Sequence, residues 1–448
     1  MSSEERLSSE HFETLSRLVA VPSPYTQVEP AGDEVELQEL ILELLSECDC
    51  RISRQEIGDS RRFNIIAQKG APIEESKFSV LLYGHSDTIK KKPQWDSKYE
   101  LSRNGKTLHG VGVYDMKAGL LVMIDAMRNV QVPPGTTVVA AFCVGEERDS
   151  DGIKKLMEWP HIKKIDLVLS PEIGTMGNDS QGVMVESDYP KDIIVGRPGN
   201  VKSALSVTTP DSHGYDVNVA DANDAWRQLL NHLNTQFNLR CSGSVCTHPN
   251  LGNEFIRTRY METRESAGGE FESVATRAFS KLAVRIVPPT TIDEIRTWQQ
   301  QALEQLMLAE NWAEQRISAE FTRFGTSYDP YVIRTDSPKA QAVLRAVEEF
   351  YGGVRLSPGK AVADGAYGHR EMNRHIAVPT QYSIEKFAQR GAVEIPPLPP
   401  EYVPWLDIGP LGEGAHKRTE RVYEESVVRL IECYRMMLRG RLLDNLKT

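Results

Sequence analysis

Residues 81–88 read Leu-Leu-Tyr-Gly-His-Ser-Asp-Thr, an apolar run that ends in an imidazole and a carboxylate. In extended backbone, residues two apart point to one side, so His85 and Asp87 share the end of one strand. Alone, a His-x-Asp pair is as well explained by a structural hydrogen bond as by a metal site. The pattern recurs, however: the apolar run 137–144 leads into Gly145-Glu146-Glu147, the run 165–169 leads into Ser170-Pro171-Glu172, and Asp115 opens the periodic segment 116–130. Side chains that bind divalent metals or carry protons, gathered at the carboxyl ends of strands and at a helix start, are what an open α/β sheet offers.

The elements that must position these residues follow from periodicity. Segments 10–20 and 33–48 carry apolar residues at helical spacing, and 51–57, 63–68 and 78–83 read as strands bounded by turn residues. Between Gly196 and about residue 325 the order becomes strand 201–208, helix 221–233, strand 280–287, helix 291–308 and strand 317–324. That order suits a compact open sheet with two helices on one face, with 241–269 as its least regular stretch. A helix at 337–351, a strand at 376–382 and a proline-rich loop at 392–404 then precede Gly409-Pro-Leu-Gly-Glu-Gly-Ala-His416 and a last helix, 419–438. The expected fold is α/β: a central, mostly parallel sheet flanked by helices, with an inserted α+β, ferredoxin-like domain. The expected boundaries are 1–195 and 326–448 for the first domain and 196–325 for the insertion.

At 448 residues the chain is long enough for two domains and a large core. Its formal net charge of -11, with no basic stripe, argues against a nucleic-acid partner and for a small-molecule substrate. The amino terminus, Met-Ser-Ser-Glu-Glu-Arg, has charge where a signal peptide needs apolar residues, and no window reaches the roughly 18 apolar residues of a membrane span. A cytoplasmic protein without a membrane partner is expected. Six cysteines show no disulfide framework. Cys241, Cys246 and His248 lack a second pair to complete a zinc knuckle, so free thiols are expected. The glycine-rich 107–112 lacks both a dinucleotide fingerprint and a Walker lysine, which excludes nucleotide binding there. Taken singly, Asp115 is either a metal ligand or a helix N-terminal carboxylate, and His416 either a ligand or a surface residue.

Taken together, in order and over nearly the whole chain, these segments resemble the zinc metallopeptidase family of aminoacylase, acetylornithine deacetylase, succinyl-diaminopimelate desuccinylase and glutamate carboxypeptidase. The resemblance implies a two-zinc site: His85 and Glu172 on one ion, Glu147 and His416 on the other, Asp115 in Tyr-Asp-Met-Lys bridging both. It also implies a cis peptide after Asp115. Two imidazoles and three carboxylates form a mixed N/O set suited to Zn²⁺, with Mn²⁺ or Co²⁺ as alternatives. Ions roughly 3.5–4 Å apart can share a carboxylate, lower the pKa of a water and polarise a carbonyl. Asp87 would hold the far nitrogen of His85 and fix its tautomer. Glu146, the carboxylate left without a metal, would serve as general base and then acid.

By the same resemblance the insertion is a lid and dimerisation domain, entered through Gly196-Arg197-Pro198-Gly199, and the protein a homodimer. His213 matches a lid histidine that steadies the oxyanion in the partner's site, and Arg285 a lid arginine that binds a substrate carboxylate. Ser273 stands where relatives carry a substrate-binding amide, Ala283 replaces an acidic residue, and 241–269 has no counterpart. The expected activity is amide hydrolysis on a small N-acyl amino acid or short peptide with a free carboxylate. Two other readings compete: hydrolysis of a less usual C–N bond releasing an aromatic or biosynthetic amine, and a non-catalytic ligand-binding relative.

Overall fold

The computed structural model describes residues 6–24, 33–58, 61–95, 98–173, 191–210, 221–242, 246–248, 251–265, 275–359, 363–376 and 398–447. In chain order the elements that matter here begin with α1 (Ser9–Ala20), α2 (Asp33–Leu45), β1 (Arg51–Glu56), β2 (Phe63–Gly70), β3 (Phe78–His85), β4 (Ser102–Asn104) and β5 (Thr107–His109). They continue with α3 (Ala118–Asn129), β6 (Thr136–Cys143), α4 (Asp151–Leu156), β7 (Leu167–Ser170), β8 (Lys191–Ile194), β9 (Gly199–Thr208), α5 (Ala222–Arg240), β10 (Phe255–Glu265), β11 (Ala275–Ile286), α6 (Ile292–Ala309) and β12 (Ser318–Arg323). The chain closes with α7 (Pro338–Tyr351), β13 (Val354–Ser357), α8 (Asp364–Met372), β14 (Trp405–Asp407), β15 (Gly412–Glu413), β16 (Arg421–Tyr423) and α9 (Glu424–Met436).

Two compact units result, Met1–Arg197 with Val332–Thr448, and Pro198–Tyr331. The first is built on an 8-stranded sheet ordered β1-β2-β6-β3-β7-β14-β8-β13. β3 and β6 are buried along their whole length, as continuous apolar runs in the middle of a parallel sheet must be. The run β6-β3-β7-β14 is parallel throughout, and helices α2, α3, α4 and α7 pack against the sheet. Helix ends follow local chemistry. The Ser8 hydroxyl caps α1, while Ser337 and Pro338 start α7 and a left-handed Gly352 stops it.

In the second unit the order β9-α5-β10-β11-α6-β12 folds into an antiparallel sheet ordered β10-β11-β9-β12, the ferredoxin-like arrangement. Its core joins Leu205 and Val207 of β9, Leu229 and Leu233 of α5, Leu282 of β11 and Leu303 of α6. Helix α6 carries a reciprocal capping box between Thr291 and Glu294.

Several expectations need correction. Strand β10 lies inside the stretch read as irregular, and β11 starts at Ala275 rather than 280. The last helix begins at Glu424, because Arg421–Tyr423 instead pairs with β5. Cys241 and Cys246 are joined in a disulfide. Arg240, at the end of α5, is ion-paired to the buried Glu254 and donates to the Thr290 hydroxyl. The two cysteine Cα atoms stand 5.1 Å apart, inside the range a disulfide spans. The remaining acid near these sulfurs, Glu254, is engaged by Arg240 and Val287 N. Most of the strand expected at 376–382, and 392–397 of the expected loop, lie outside the described residues. No described helix is long and apolar enough to cross a membrane.

Helix α8 is fastened beside β14 by Asn373, whose side chain exchanges hydrogen bonds with both Val403 N and Val403 O. Beneath it His369 is buried, its Nε2 3.3 Å from the Tyr402 hydroxyl. Burial pushes this imidazole down to about 4 from an ordinary 6.5. The unfolded chain therefore binds a proton between pH 6.5 and 4 that the native state refuses, so stability falls as pH drops through that window. Urea titrations from pH 7 to 4 should show His369→Gln losing less stability than the parent protein, with a difference of up to about 3 kcal/mol.

Candidate active site

Parallel register gathers the polar residues at one edge of the sheet. His85 pairs with Cys143 across β3 and β6, and Leu82 with Leu169 across β3 and β7. Gly145-Glu146-Glu147 and Glu172 thus emerge beside His85. The approach is close: at Gly409, just past β14, a Cβ would collide with the Glu172 carbonyl. Asp115 arrives from an irregular turn, Val113–Lys117, joined to Met116 by a cis peptide. Neither this turn nor α3 has a side-chain cap hydrogen bond, and the Asp115 carboxylate faces two histidines instead.

Two donor sets share that carboxylate. His85 Nε2 lies 3.2 Å from Asp115 Oδ1 and 3.4 Å from Glu172 Oε2. His416 Nε2 lies 3.2 Å from Asp115 Oδ2 and 2.8 Å from Glu147 Oε1. In each set the candidate ligand atoms all fall within 4.8 Å of one another. Ligands held at ~2.0–2.1 Å by one tetrahedral ion stand about 3.3 Å apart, so both sets have a spacing that fits a metal. The donors are imidazole and carboxylate without a thiolate, which suits zinc and its neighbours.

Charge balance is the difficulty of this site. Burial disfavours the Asp115 anion, yet His416 and His85 outweigh it and hold its carboxyl below the usual range. Glu147 is pushed up to about 7 by burial and by Asp115, against the pull of His416. For His85, burial opposes the cation, but Glu172, Asp115 and Asp87 raise its pKa well above the ordinary imidazole value. His416 moves in the same direction against its own partial burial, under Asp115 and Glu147. Half of its side-chain surface faces solvent, which weakens that pull. Glu146, in neither donor set, is raised well above a normal carboxyl, first by burial and then by Glu147, Asp364 and Glu172 against the pull of His85.

The supporting groups are specific. Asp87 takes Glu146 N on Oδ1 at 3.0 Å and Glu147 N on Oδ2 at 2.9 Å. His85 Nδ1 is 3.0 Å from the Asp87 carbonyl and 3.3 Å from its Oδ1, so this aspartate orients both the imidazole and the Glu146-Glu147 turn. Behind the turn, Glu34 accepts from Gly145 N and is ion-paired to Arg62 in the interior. Gly145 has φ +77°, and a Cβ there would meet the Arg62 guanidinium. His416 itself sits at φ +61°, a conformation uncommon outside glycine.

Glu420 was not legible in the sequence. Its buried carboxylate accepts from Gly112 N, Tyr114 N and Asp115 N at 2.8–3.0 Å and so holds the Asp115 turn. Burial leads its rise to about 7, which these backbone donors partly counter. In Lys417-Arg-Thr-Glu420 it looks like one member of a surface charge run. The small sheet β15-β16-β5-β4 brings it across. Of the other expected residues, Arg285 lies in the inserted unit, donating from Nη2 to Leu251 O at 2.8 Å. His213 and Ser273 lie outside the described residues.

The sequence pattern of peptidase family M20/M25/M40 matches residues 81–440. The chain belongs to that family. Among curated members, an N-formyl-4-amino-5-aminomethyl-2-methylpyrimidine deformylase from Halalkalibacterium halodurans is 28% identical over 149 residues, 32% of this chain and 34% of that protein. A succinyl-diaminopimelate desuccinylase from Erythrobacter litoralis is 26% identical over 234 residues, 50% of this chain and 58% of that protein. The aligned stretches thus span a third to somewhat over half the length of these relatives. A solved structure of the dipeptidase Dug1p from Saccharomyces cerevisiae shares the fold, with TM-score 0.68, 16% identity and coverage of 97% of this chain and 96% of that one.

Replacing Glu420 by Ala would strand three buried N–H groups at about 1–3 kcal/mol each and release the Asp115 turn. Glu420→Ala is expected to unfold at a lower temperature and, after zinc dialysis, to retain less metal per chain than the parent protein, as measured by plasma emission.

Proposed function

We propose that this protein is a dinuclear metal-dependent amidohydrolase that cleaves the amide of a small N-acyl amino acid or short peptide carrying a free carboxylate. One observation carries the reading: a single carboxylate, Asp115, offers one oxygen to each of two histidines, and each histidine has its own second carboxylate. In this reading His85 and Glu172 hold one ion, His416 and Glu147 the other, and Asp115 both, with Zn²⁺ the preferred metal over Mn²⁺ and Co²⁺. The ions, when bound, supply Lewis-acid polarisation of the scissile carbonyl and acidify a water.

Everything else falls to the chain. Glu146 accepts the proton of the attacking water and returns it to the departing amine. Its backbone is set by the Asp87 carboxylate, and its raised affinity for a proton suits the second half of that task. Pro198–Tyr331 is proposed as a lid and dimerisation domain of a cytoplasmic homodimer, with His213 steadying the oxyanion and Arg285 and Ser273 meeting the substrate. The succinyl-diaminopimelate desuccinylase and dipeptidase relatives support the N-acyl amino acid and peptide class. A second reading, release of a heteroaromatic biosynthetic amine from an N-acyl precursor, is supported by the deformylase relative and by Ser273 standing where an amide is usual.

The deciding experiment is turnover of N-acyl amino acids, dipeptides and N-formyl aminomethylpyrimidines by zinc-loaded protein, with bound metal counted in the same sample. Release of amine from the first two classes supports the main reading, and release from the third alone transfers the assignment to the second. Glu146→Gln is expected to keep two metals per chain and lose about 10²–10⁴-fold in kcat. Retained turnover would remove Glu146 from its role.

A further inference from the structure

The loop that carries Glu146 and Glu147 is closed on itself. Ser150 N donates to Gly145 O at 2.6 Å, and Gly152 N to Val144 O at 3.0 Å. Both ends of the loop are left-handed, Gly145 at φ +77° and Ser150 at φ +54°. A glycine takes this conformation freely, whereas a serine does so against its own Cβ. Ser150 is fully buried, and its hydroxyl hydrogen-bonds the carboxylate of Asp364. That contact gives a reason for a side chain at a position where glycine would relax the backbone.

Asp364 opens α8, far along the chain from this loop, and is buried to 1% exposure. Its Oδ2 also accepts from the Tyr83 hydroxyl. Tyr83 is two residues before His85, on the same side of β3, and its ring packs on Trp405 of β14. The other oxygen, Oδ1, has no hydrogen-bond partner among the described residues. One buried carboxylate thus touches the strand that presents His85 and the end of the loop that presents Glu146. Its charge is felt at Glu146 and in turn feels His85 and Asp87.

We propose that Asp364 is a positioning residue for the general base: by gripping the Tyr83 and Ser150 hydroxyls it locks the Gly145–Ser150 loop against β3 and fixes where the Glu146 carboxylate stands. This rests on the proposed role of Glu146. Asp364 touches neither of the two donor sets. Glu147 on the same loop keeps its own anchors, Asp87 at its N–H and His416 at its carboxylate, so loss of Asp364 moves the proton-transfer step and leaves metal binding and substrate affinity in place.

Asp364→Asn keeps the shape and removes the charge that holds both hydroxyls. Zinc-loaded Asp364→Asn is expected to retain two metals per chain, a KM within about 2-fold of the parent and a kcat lower by about 10- to 100-fold. Ser150→Gly relieves the left-handed backbone and deletes the hydroxyl together with its Cβ. It is expected to unfold no earlier than the parent protein and still to lose kcat, and the double variant is to lose no more than Asp364→Asn alone, since the two act through one contact. Glu146→Gln is run alongside. Inactive Glu146→Gln with fully active Asp364→Asn or Ser150→Gly overturns the positioning role alone. Active Glu146→Gln overturns the base and, with it, this inference. A fall in activity matched by lost metal or by a proportionate rise in KM also overturns it, and should Asp364→Asn fail to fold, Ser150→Gly decides.

Discussion

Five carboxylates, Asp87, Asp115, Glu146, Glu147 and Glu172, crowd one end of a sheet, and among the described residues His85 and His416 are the cations paired with them. Two like charges 4 Å apart cost about 4 kcal/mol even at an effective dielectric of 20. Much of the surrounding structure answers that repulsion. Backbone N–H groups are turned onto Asp87, and Asp115 divides its two oxygens between two imidazoles. What remains uncompensated is a place for positive charge, which is the physical content of the proposed pair of divalent ions.

The same requirement explains why distant parts of the chain are bound together so tightly. Asp115 and His416 are held in one geometry by the small sheet in which β5 pairs with β16, and Glu420 ties the backbone of one turn to the other. His416 stays left-handed and half exposed, so its place depends on its neighbours more than on its own burial. The Glu34–Arg62 ion pair and the Asp364 contacts do comparable work behind the Glu146-Glu147 turn.

Three of the residues around the shared carboxylate end apolar runs, and ends of buried parallel strands converge by geometry, whereas His416, on a glycine-rich turn, carries no such signal. His85, Glu147 and Glu172 carry that signal, and strands β1, β2, β3, β6 and β7 of the main sheet are legible as well, but the insertion reads as βαβαβ, without β10. Residues whose role comes from tertiary pairing carried none. Glu420 hides in the charged stretch Lys417-Arg-Thr-Glu420, Asp364 at the start of a short helix that contains two glycines, and Arg421–Tyr423 takes a strand partner that overrides the helical period running on through α9. Strand β10, Phe-Ile-Arg-Thr-Arg-Tyr-Met-Glu-Thr-Arg-Glu, pairs its apolar residues instead of alternating them, so it shows no period-2 signal. Arg240 meets Glu254 beside the Cys241–Cys246 link, a contact no spacing rule supplies.

The insertion also has a consequence in time. His85, Asp115, Glu147 and Glu172 are all synthesised before Pro198–Tyr331, and His416 only after it. An emerging chain can therefore assemble the His85 half of the site early, while the Asp115–Glu147 pair waits for its imidazole until some 240 further residues have left the ribosome. A chain cut anywhere in the insertion would keep one donor set whole and leave the other an unbalanced pair of acids, so the completed site is a record that both ends of the polypeptide have arrived.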